Sequence, residues 1–475
     1  MPNMAFGDSP LIMNQKSRKK LFLSFVCIFF IATPILITYA IGYKINLTWP
    51  LRFNQILQKT GMLVINTYPD KASLYVNNKP YQTFLKKNYS LTPVRIKNIL
   101  PKEYYLEIKK NNYFSWQKKI NISSGKATIF ENIILFKKTN PVLISTSTII
   151  EIKQSFNKKY LAMASEKEVK LFNTSNNKFN LQTIQSNNKP NLQWTPDSKK
   201  FLINKNIISI NNFFNLAATK IDAEKFGDLN KLLGQDIYNI KWDDNSNIAY
   251  YQNDNSFNSF DFDASVNKKI LNNEEILDFL IKKNNLFYIA KVKSEENHLN
   301  NIIQLKIKLL ENKEINKEIE LPYSSQYSLV YYQNNLLNIY DARHKILYLV
   351  DPFLHDNSIV EIINNVKYLA WSENKLLYAN DFEIWIFDLE NKQKRILTRI
   401  SEPISKIVWH PSNNYILYST TQSINVLELD EDNQRNIIKL ITSQKINSFF
   451  INKKADTVYF DGSVNSINGL YKLSL

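Results

Sequence analysis

Cysteine is almost absent from the 475 residues: Cys27 stands alone, so no disulfide can form within the chain and no multi-cysteine metal centre can be built. Four scattered histidines (His298, His344, His355 and His410) leave little material for a zinc site. With only 8 glycines and 15 prolines, tight turns must rely on the abundant Asn, Asp and Ser residues. The same scarcity removes whole classes of chemistry. There is no G-x-S-x-G with a downstream histidine, no phosphate-cradling P-loop and no G-x-G-x-x-G dinucleotide turn. No catalytic, cofactor-binding or metal-ligating residue is therefore expected. His410 reads as a turn residue. The acid pairs Asp243–Asp244 and Asp261–Asp263 and the run "ELDEDN" (428–433) read as solvated turns, because none has calcium-loop spacing. Asn46-Leu47-Thr48 and Asn88-Tyr89-Ser90 fit the glycosylation sequon, which an Asn-rich chain produces by chance.

One long apolar run is present. Residues 21–43, "LFLSFVCIFFIATPILITYAIGY", carry no charge, and 23 residues at the helical rise span roughly 34 Å, enough for a bilayer core. Lys16, Arg18, Lys19 and Lys20 precede it, so the positive-inside tendency predicts a basic cytoplasmic tail (1–20), a transmembrane anchor (21–43) and a chain that continues outside the cytoplasm. Pro34 is tolerable within such a helix. A cleaved signal peptide is the rival reading, but the apolar core is long and no A-x-A site follows it.

The formal charge of +17 is unevenly distributed: +6 over residues 1–60, +9 over 61–137 and only +2 over 138–475. A basic layer next to a bilayer favours anionic lipid head groups or anionic envelope polymers, and export makes nucleic acid a poor partner. The bland alternative is that surface lysines keep a small domain in solution.

After a neck (44–60), period-two alternation begins: "MLVINTY", the turn "PDKA" and "SLYVNN", followed by "LTPVRIKNIL", "EYYLEIKKNNYFSWQKKINI" and "KATIFENIILF". This predicts a small all-β sandwich over 61–137, with Leu106, Ile108, Phe114 and Trp116 as core candidates. The stretch resembles the PEGA domain. Gly61, Leu63 and Ile65 fall at that family's glycine and apolar places, Pro69 and Ala72 in its turn, and Leu74 and Val76 in the second strand. The Thr92-Pro93 pair, Leu100, Tyr104, Leu106 and Ile108 follow. The sequence departs from the pattern at Lys71, where the family has glycine, at Asn77-Asn78, where it favours Asp-Gly, and at Asn111-Asn112, where it favours glycine before Tyr113. The resemblance implies an extracytoplasmic, non-enzymatic module.

From residue 141 onward a phrase recurs: an aromatic closing one strand, a polar turn, then further apolar strands. Clear copies contain Trp194, Trp242, Trp371 and Trp409; weaker ones centre on Phe156, on "LDFLIKKNNLFYIAKV", on "SLVYYQNNLLNIYDARHKILYLVD" and on Phe450. Four short strands per repeat of about 40–50 residues is the period of a β-propeller blade. Residues 141–475 are thus expected to form a propeller of eight blades, or seven if one copy is spurious. The last copy lacks a fourth strand, which "PVLISTST" (141–148) could supply. Trp194-Thr195-Pro196-Asp197 and Trp409-His410-Pro411-Ser412 resemble the turn of TolB-like and WD-repeat propellers, whose aromatics usually pack between blades. An array of β-sandwiches is the alternative.

Together these features predict an all-β protein behind a membrane helix. The expected function is an envelope binding or scaffold protein whose propeller is a platform for protein or glycan partners. A propeller enzyme acting on glycans or peptides, with acids in its channel, and a purely structural surface component are the other readings.

Overall fold

The computed structural model describes residues 14–475 except 46–56, 83–89, 147, 167, 177, 186–188, 211–219, 223–226, 234–235, 255, 273, 294–300, 312–314, 355–357 and 431–434. Most of the neck, the first sequon, Asn88 and Tyr89 of the second, and the second half of "ELDEDN" (431–433) lie outside the described residues, as do His298 and His355. The chain divides into two compact units, Met1–Lys137 with Asp430–Asn436 and Lys138–Leu429 with Ile437–Leu475.

The apolar run is a single helix, Gln15–Ala40, passing through Pro34 and burying none of its residues. It is long and apolar enough to cross a membrane. Its boundaries sit a few residues earlier than the apolar run. Lys16, Arg18, Lys19 and Lys20 are good helix formers and extend its start, while Gly42, at φ +92, ends it in a conformation other residues resist.

Beyond the helix, Tyr43–Ile45 pairs with Leu57–Lys59, and two sheets follow. In the first, Gly61–Tyr68 lies between Val94–Ile99, antiparallel, and Ala127–Ile134, parallel. The second runs Lys79–Pro80, Ser73–Val76, Glu103–Lys109 and Trp116–Asn121 in spatial order. The inward-facing residues of these strands share a common core that includes Leu63, Ile65, Leu74, Leu106, Ile108 and Trp116. Burying each such side chain is worth about 1.5–3 kcal/mol. Phe114 is only half-buried.

The turn holds Lys71 at φ 58, and Asn77, Asn78 and Asn112 also have positive φ. The Lys71 N–H donates to the Thr92 carbonyl (2.7 Å), Thr92 N–H to the Ala72 carbonyl (2.9 Å) and Ala72 N–H to Thr92 Oγ1 (3.0 Å). Thr92 Oγ1 also meets Thr67 Oγ1 at 2.6 Å and Thr67 Oγ1 donates to the Pro69 carbonyl (2.8 Å), so Pro69, Ala72 and Thr92 share one hydrogen-bonded knot, with cis peptides before Pro69 and Pro93. The left-handed region disfavours lysine by about 1–2 kcal/mol. Lys71→Gly should therefore stabilise this unit by about 1 kcal/mol, read as a higher melting temperature of its transition. An unchanged or lower value would contradict the strain.

The second unit contains eight antiparallel-strand sheets among the described residues, seven with four strands and one with five. The fifth strand, Lys220–Asp222, adds parallel to Lys178–Gln185. Side chains on the inner strands link each sheet to the next. Trp194 Nε1 donates to the Lys153 carbonyl (3.1 Å), Gln193 to Ile240 (2.9 Å), Gln252 to Ile276 (3.1 Å), Trp371 to Asn338 Oδ1 (2.7 Å) and Trp409 to Ala370 (2.9 Å). Leu329 N–H donates to Asp278 Oδ2 (2.7 Å), and Lys406 to Ser448 Oγ (3.2 Å). The ring closes where Gln154 donates to the Ile451 carbonyl (2.9 Å) and Tyr459 OH to that of Thr174 (3.2 Å). This is propeller architecture. Val142–Thr146 is the outer strand of the sheet formed by the three C-terminal strands, Lys445–Ile451, Thr457–Val464 and Ile467–Ser474.

Candidate functional site

At the end of the apolar helix the chain makes a compact crossing. Thr60, 6% exposed, donates both its N–H (2.8 Å) and its hydroxyl (2.7 Å) to the Gly42 carbonyl. The Thr60 carbonyl accepts the Gly125 N–H at 2.9 Å, and Met62 N–H donates to the Lys126 carbonyl at 3.0 Å. Three separate segments thus meet at one point. Gly61 makes the crossing tight: a Cβ there would lie 2.6 Å from Ile122 Cγ2 and 2.7 Å from the Ser123 carbonyl oxygen.

A cleft of about 410 Å³ opens beside this crossing, lined by Ile41, Gly42, Lys59, Lys97, Gly125 and Lys126 among others, with no carboxylate among the described residues of its wall. Lys59, Lys97 and Lys126 are exposed and, among the described residues, none forms an ion pair. Gly125 has φ +69, a conformation side chains resist, and a Cβ on it would crowd the end of the Lys59 side chain at 3.1–3.4 Å. Three ammonium groups without carboxylates can hold an anion.

The blade tryptophans do different work. Trp194, Trp242 and Trp409 are buried, and Trp371 is half-buried. Trp194 packs with Ala162 and Leu171 of the preceding sheet, Trp242 with Leu202, Trp371 with Leu336 and Leu347, and Trp409 with Leu377 and Ile386. Each packs against residues of a neighbouring sheet. Phe156 is 67% exposed in a turn, and the place equivalent to the tryptophans in its sheet belongs to Gln154, which completes the ring by its amide.

His410 is a turn residue: Nδ1 accepts the Ser412 N–H at 3.1 Å and lies 2.9 Å from Ser412 Oγ. Burial pushes its pKa down to about 4, with the Lys158 charge adding to the effect. The unfolded chain takes up this proton near pH 6.5 and the folded chain only near 4, so stability falls as pH drops through that interval. The loss reaches up to about 3 kcal/mol. His410→Asn, which keeps a turn acceptor, should flatten the acid limb in urea titrations between pH 7 and 4; an unaltered slope would assign it elsewhere.

Lys406 has its ammonium 3.6 Å from the centre of the Phe450 ring. Burial, with Lys153 contributing, depresses its pKa to about 7. The unfolded side chain is still protonated above that, so stability should rise from pH 7 toward 10. Lys406→Met should abolish the rise and add about 2 kcal/mol at pH 7, a figure reduced for partial solvent exposure. A slope that survives the substitution would show that another group titrates.

Sequence acids are occupied by turns and neighbours. Asp243 accepts the N–H groups of Asn245, Asn247 and Ile248, and Asp261 those of Asp263 and Ala264. On the first strands, Glu151 Oε2 accepts from Leu192 N–H, while Asp278 binds Leu329 N–H and Lys241. Ser324 Oγ donates to Asp341 Oδ1 (2.7 Å) and His344 Nδ1 meets Asp341 Oδ2 (2.6 Å), so serine and histidine both bond to the carboxylate, not to each other as a nucleophile and base would. Among the described residues no group of three His, Cys, Asp or Glu could hold a metal ion.

The lysine cleft was not legible in the sequence: its three cations are far apart along a chain crowded with lysine. Gly61, singled out by its match to the glycine place of the PEGA pattern, was the available hint.

Residues 60–132 match the family model of the PEGA domain. No curated protein matches the chain. Among solved structures it is similar to the C-terminal WD40 domain of Sif2, at 10% identity over 70% of this chain and 98% of that one, with a TM-score of 0.47. It is also similar to a eukaryotic initiation factor (10% identity, 78% and 98% covered, TM-score 0.46) and to Kuenenia stuttgartiensis hydrazine synthase (10%, 70% and 97%, TM-score 0.35). The chain carries a PEGA domain directly behind its apolar helix and, after it in sequence, a ring of antiparallel sheets built as a propeller.

Proposed function

We propose that this protein is a membrane-anchored scaffold of the bacterial cell envelope, held by its one apolar helix with the folded units outside the cytoplasm. Its propeller serves as a platform for protein or glycan partners, and its basic PEGA domain contacts anionic head groups or envelope polymers. The carrying observation is the double hydrogen bond from Thr60 to the Gly42 carbonyl, which ties the PEGA domain to the end of the helix. A helix joined this closely to a folded domain suits a permanent tether better than a leader to be removed. Lys16, Arg18, Lys19 and Lys20 before the apolar run favour a cytoplasmic N-terminus. Inner-strand acids bonded to neighbouring strands favour a binding role over glycoside hydrolysis, which needs a pair of carboxylates flanking the substrate.

Fractionation of cells expressing the full chain tests this reading. The expected result is full-length protein in the membrane pellet after an alkaline wash, with protease added to spheroplasts digesting everything beyond the helix. A shortened chain released into the wash, or complete protection from protease, would overturn it.

A further inference from the structure

We propose that the cleft formed by Lys59, Lys97 and Lys126 binds the phosphate of an anionic phospholipid head group. This rests on the reading that the helix lies in a bilayer. Four observations converge on it. The three lysines come from different segments, around Lys59, Val94–Ile99 and Lys126, yet open into one cleft of about 410 Å³. Among the described residues no aspartate or glutamate lines it, so no carboxylate there answers their charge. The wall includes Ile41 and Gly42, the first residues past the helix, which puts the cleft at head-group depth when the helix spans a membrane. Finally, Gly125 sits directly beside the Lys59 ammonium, where a Cβ would lie 3.2 Å from it.

A phosphodiester offers oxygens to several ammonium donors at once, and lysine is a point-charge donor that adapts to them. A lipid is favoured over an envelope polymer because one rim is apolar. Ile41 is 63% exposed, and Tyr39, 57% exposed, lies just before it on the helix. A molecule with a charged head and an acyl body fits both surfaces; a polyanion leaves the apolar rim wet. Each lysine near an anionic surface contributes about 1 kcal/mol. What distinguishes the cleft from a diffuse basic patch is shape, and shape can be altered without altering charge.

The experiment uses the full chain in a neutral detergent, with bound lipid counted by native mass spectrometry during titration with phosphatidylglycerol or phosphatidylcholine. Wild type is expected to retain one phosphatidylglycerol at least about tenfold more tightly than phosphatidylcholine. Lys59→Gln with Lys97→Gln and Lys126→Gln should abolish that preference. Lys79→Gln with Lys119→Gln and Lys137→Gln, an equal charge change at exposed positions outside the cleft, should preserve it. Gly125→Asn retains every lysine and tolerates positive φ, so its expected loss of binding tests the cavity itself; its melting curve reports whether the domain still folds. Equal retention by both lysine triples, or unimpaired binding by Gly125→Asn, would reduce the site to a diffuse charge effect and overturn the proposal. Displacement of the lipid by soluble polyglycerol phosphate at equal phosphate concentration would reassign the cleft to an envelope polymer. Failure of the chain to fractionate with membranes would refute the anchor reading, an outcome separate from any of these.

Discussion

Replacing Gly469 with valine should dislodge Val142–Thr146 from its sheet and destabilise the propeller by about 3 kcal/mol or more. Gly469 pairs with Thr146, and the strand shifts register between Leu143 and Ser145. A Cβ at 469 would lie 2.1 Å from the Ser145 carbonyl oxygen, closer than any contact a side chain can make. The obstacle is backbone held in a ladder, so it cannot rotate aside. Gly227→Ala supplies the comparison: among the described residues its Cβ would meet only Ile207 Cγ2, at 3.3 Å, and the expected change is within about 0.5 kcal/mol. Urea titration of both variants, with hydrogen exchange followed at 142–146, reads the difference. If Gly469→Val unfolds with wild type, the outer strand contributes nothing to closing the ring.

Trp116→Ala should cost about 3–5 kcal/mol and act on the other unit alone. Trp116 is 1% exposed in the strand Trp116–Asn121 and meets Phe130 of the facing sheet edge-to-face, with ring centres 5.6 Å apart. It is the largest side chain spanning the two layers, and a domain this small has a total stability of only about 5 kcal/mol. Calorimetry should then show the transition of the PEGA domain lost while that of the propeller persists, and limited proteolysis should cut within 61–137. Simultaneous loss of both transitions would mean that the two units fold as one.

Much of this architecture could be read from periodicity. Alternation marked the strands around Leu63, Leu74, Leu106 and Ile108, and the spacing of Trp194, Trp242, Trp371 and Trp409 pointed to a blade repeat. The strand at 142–146 could be assigned to the last sheet because three strands there wanted a fourth. Reading by aromatics failed where a polar side chain holds the same place: Gln154 links two sheets through its amide, and Phe156 drew attention instead. Turn chemistry was legible only in kind. Most of the non-glycine residues at positive φ are asparagines, as a glycine-poor chain requires, yet Lys71, Lys158 and Ala455 share that conformation because flanking hydrogen bonds hold it. The cleft was invisible for a different reason. Its chemistry depends on a wall without carboxylates, a property of three-dimensional neighbours that spacing along the chain does not encode.

The pairing of Val142–Thr146 with Ile467–Ser474 also orders events in time. A ribosome finishes the first strand more than 300 residues before its partner exists. Until then it presents an unpaired edge, the kind of segment that recruits other chains. Successive sheets can assemble from local meanders as they emerge, but the ring can be sealed only at the end, and bringing such distant segments together is entropically slow. Newly made protein should therefore pass through an open-ring stage whose lifetime, rather than the stability of the closed form, governs how much of it escapes aggregation.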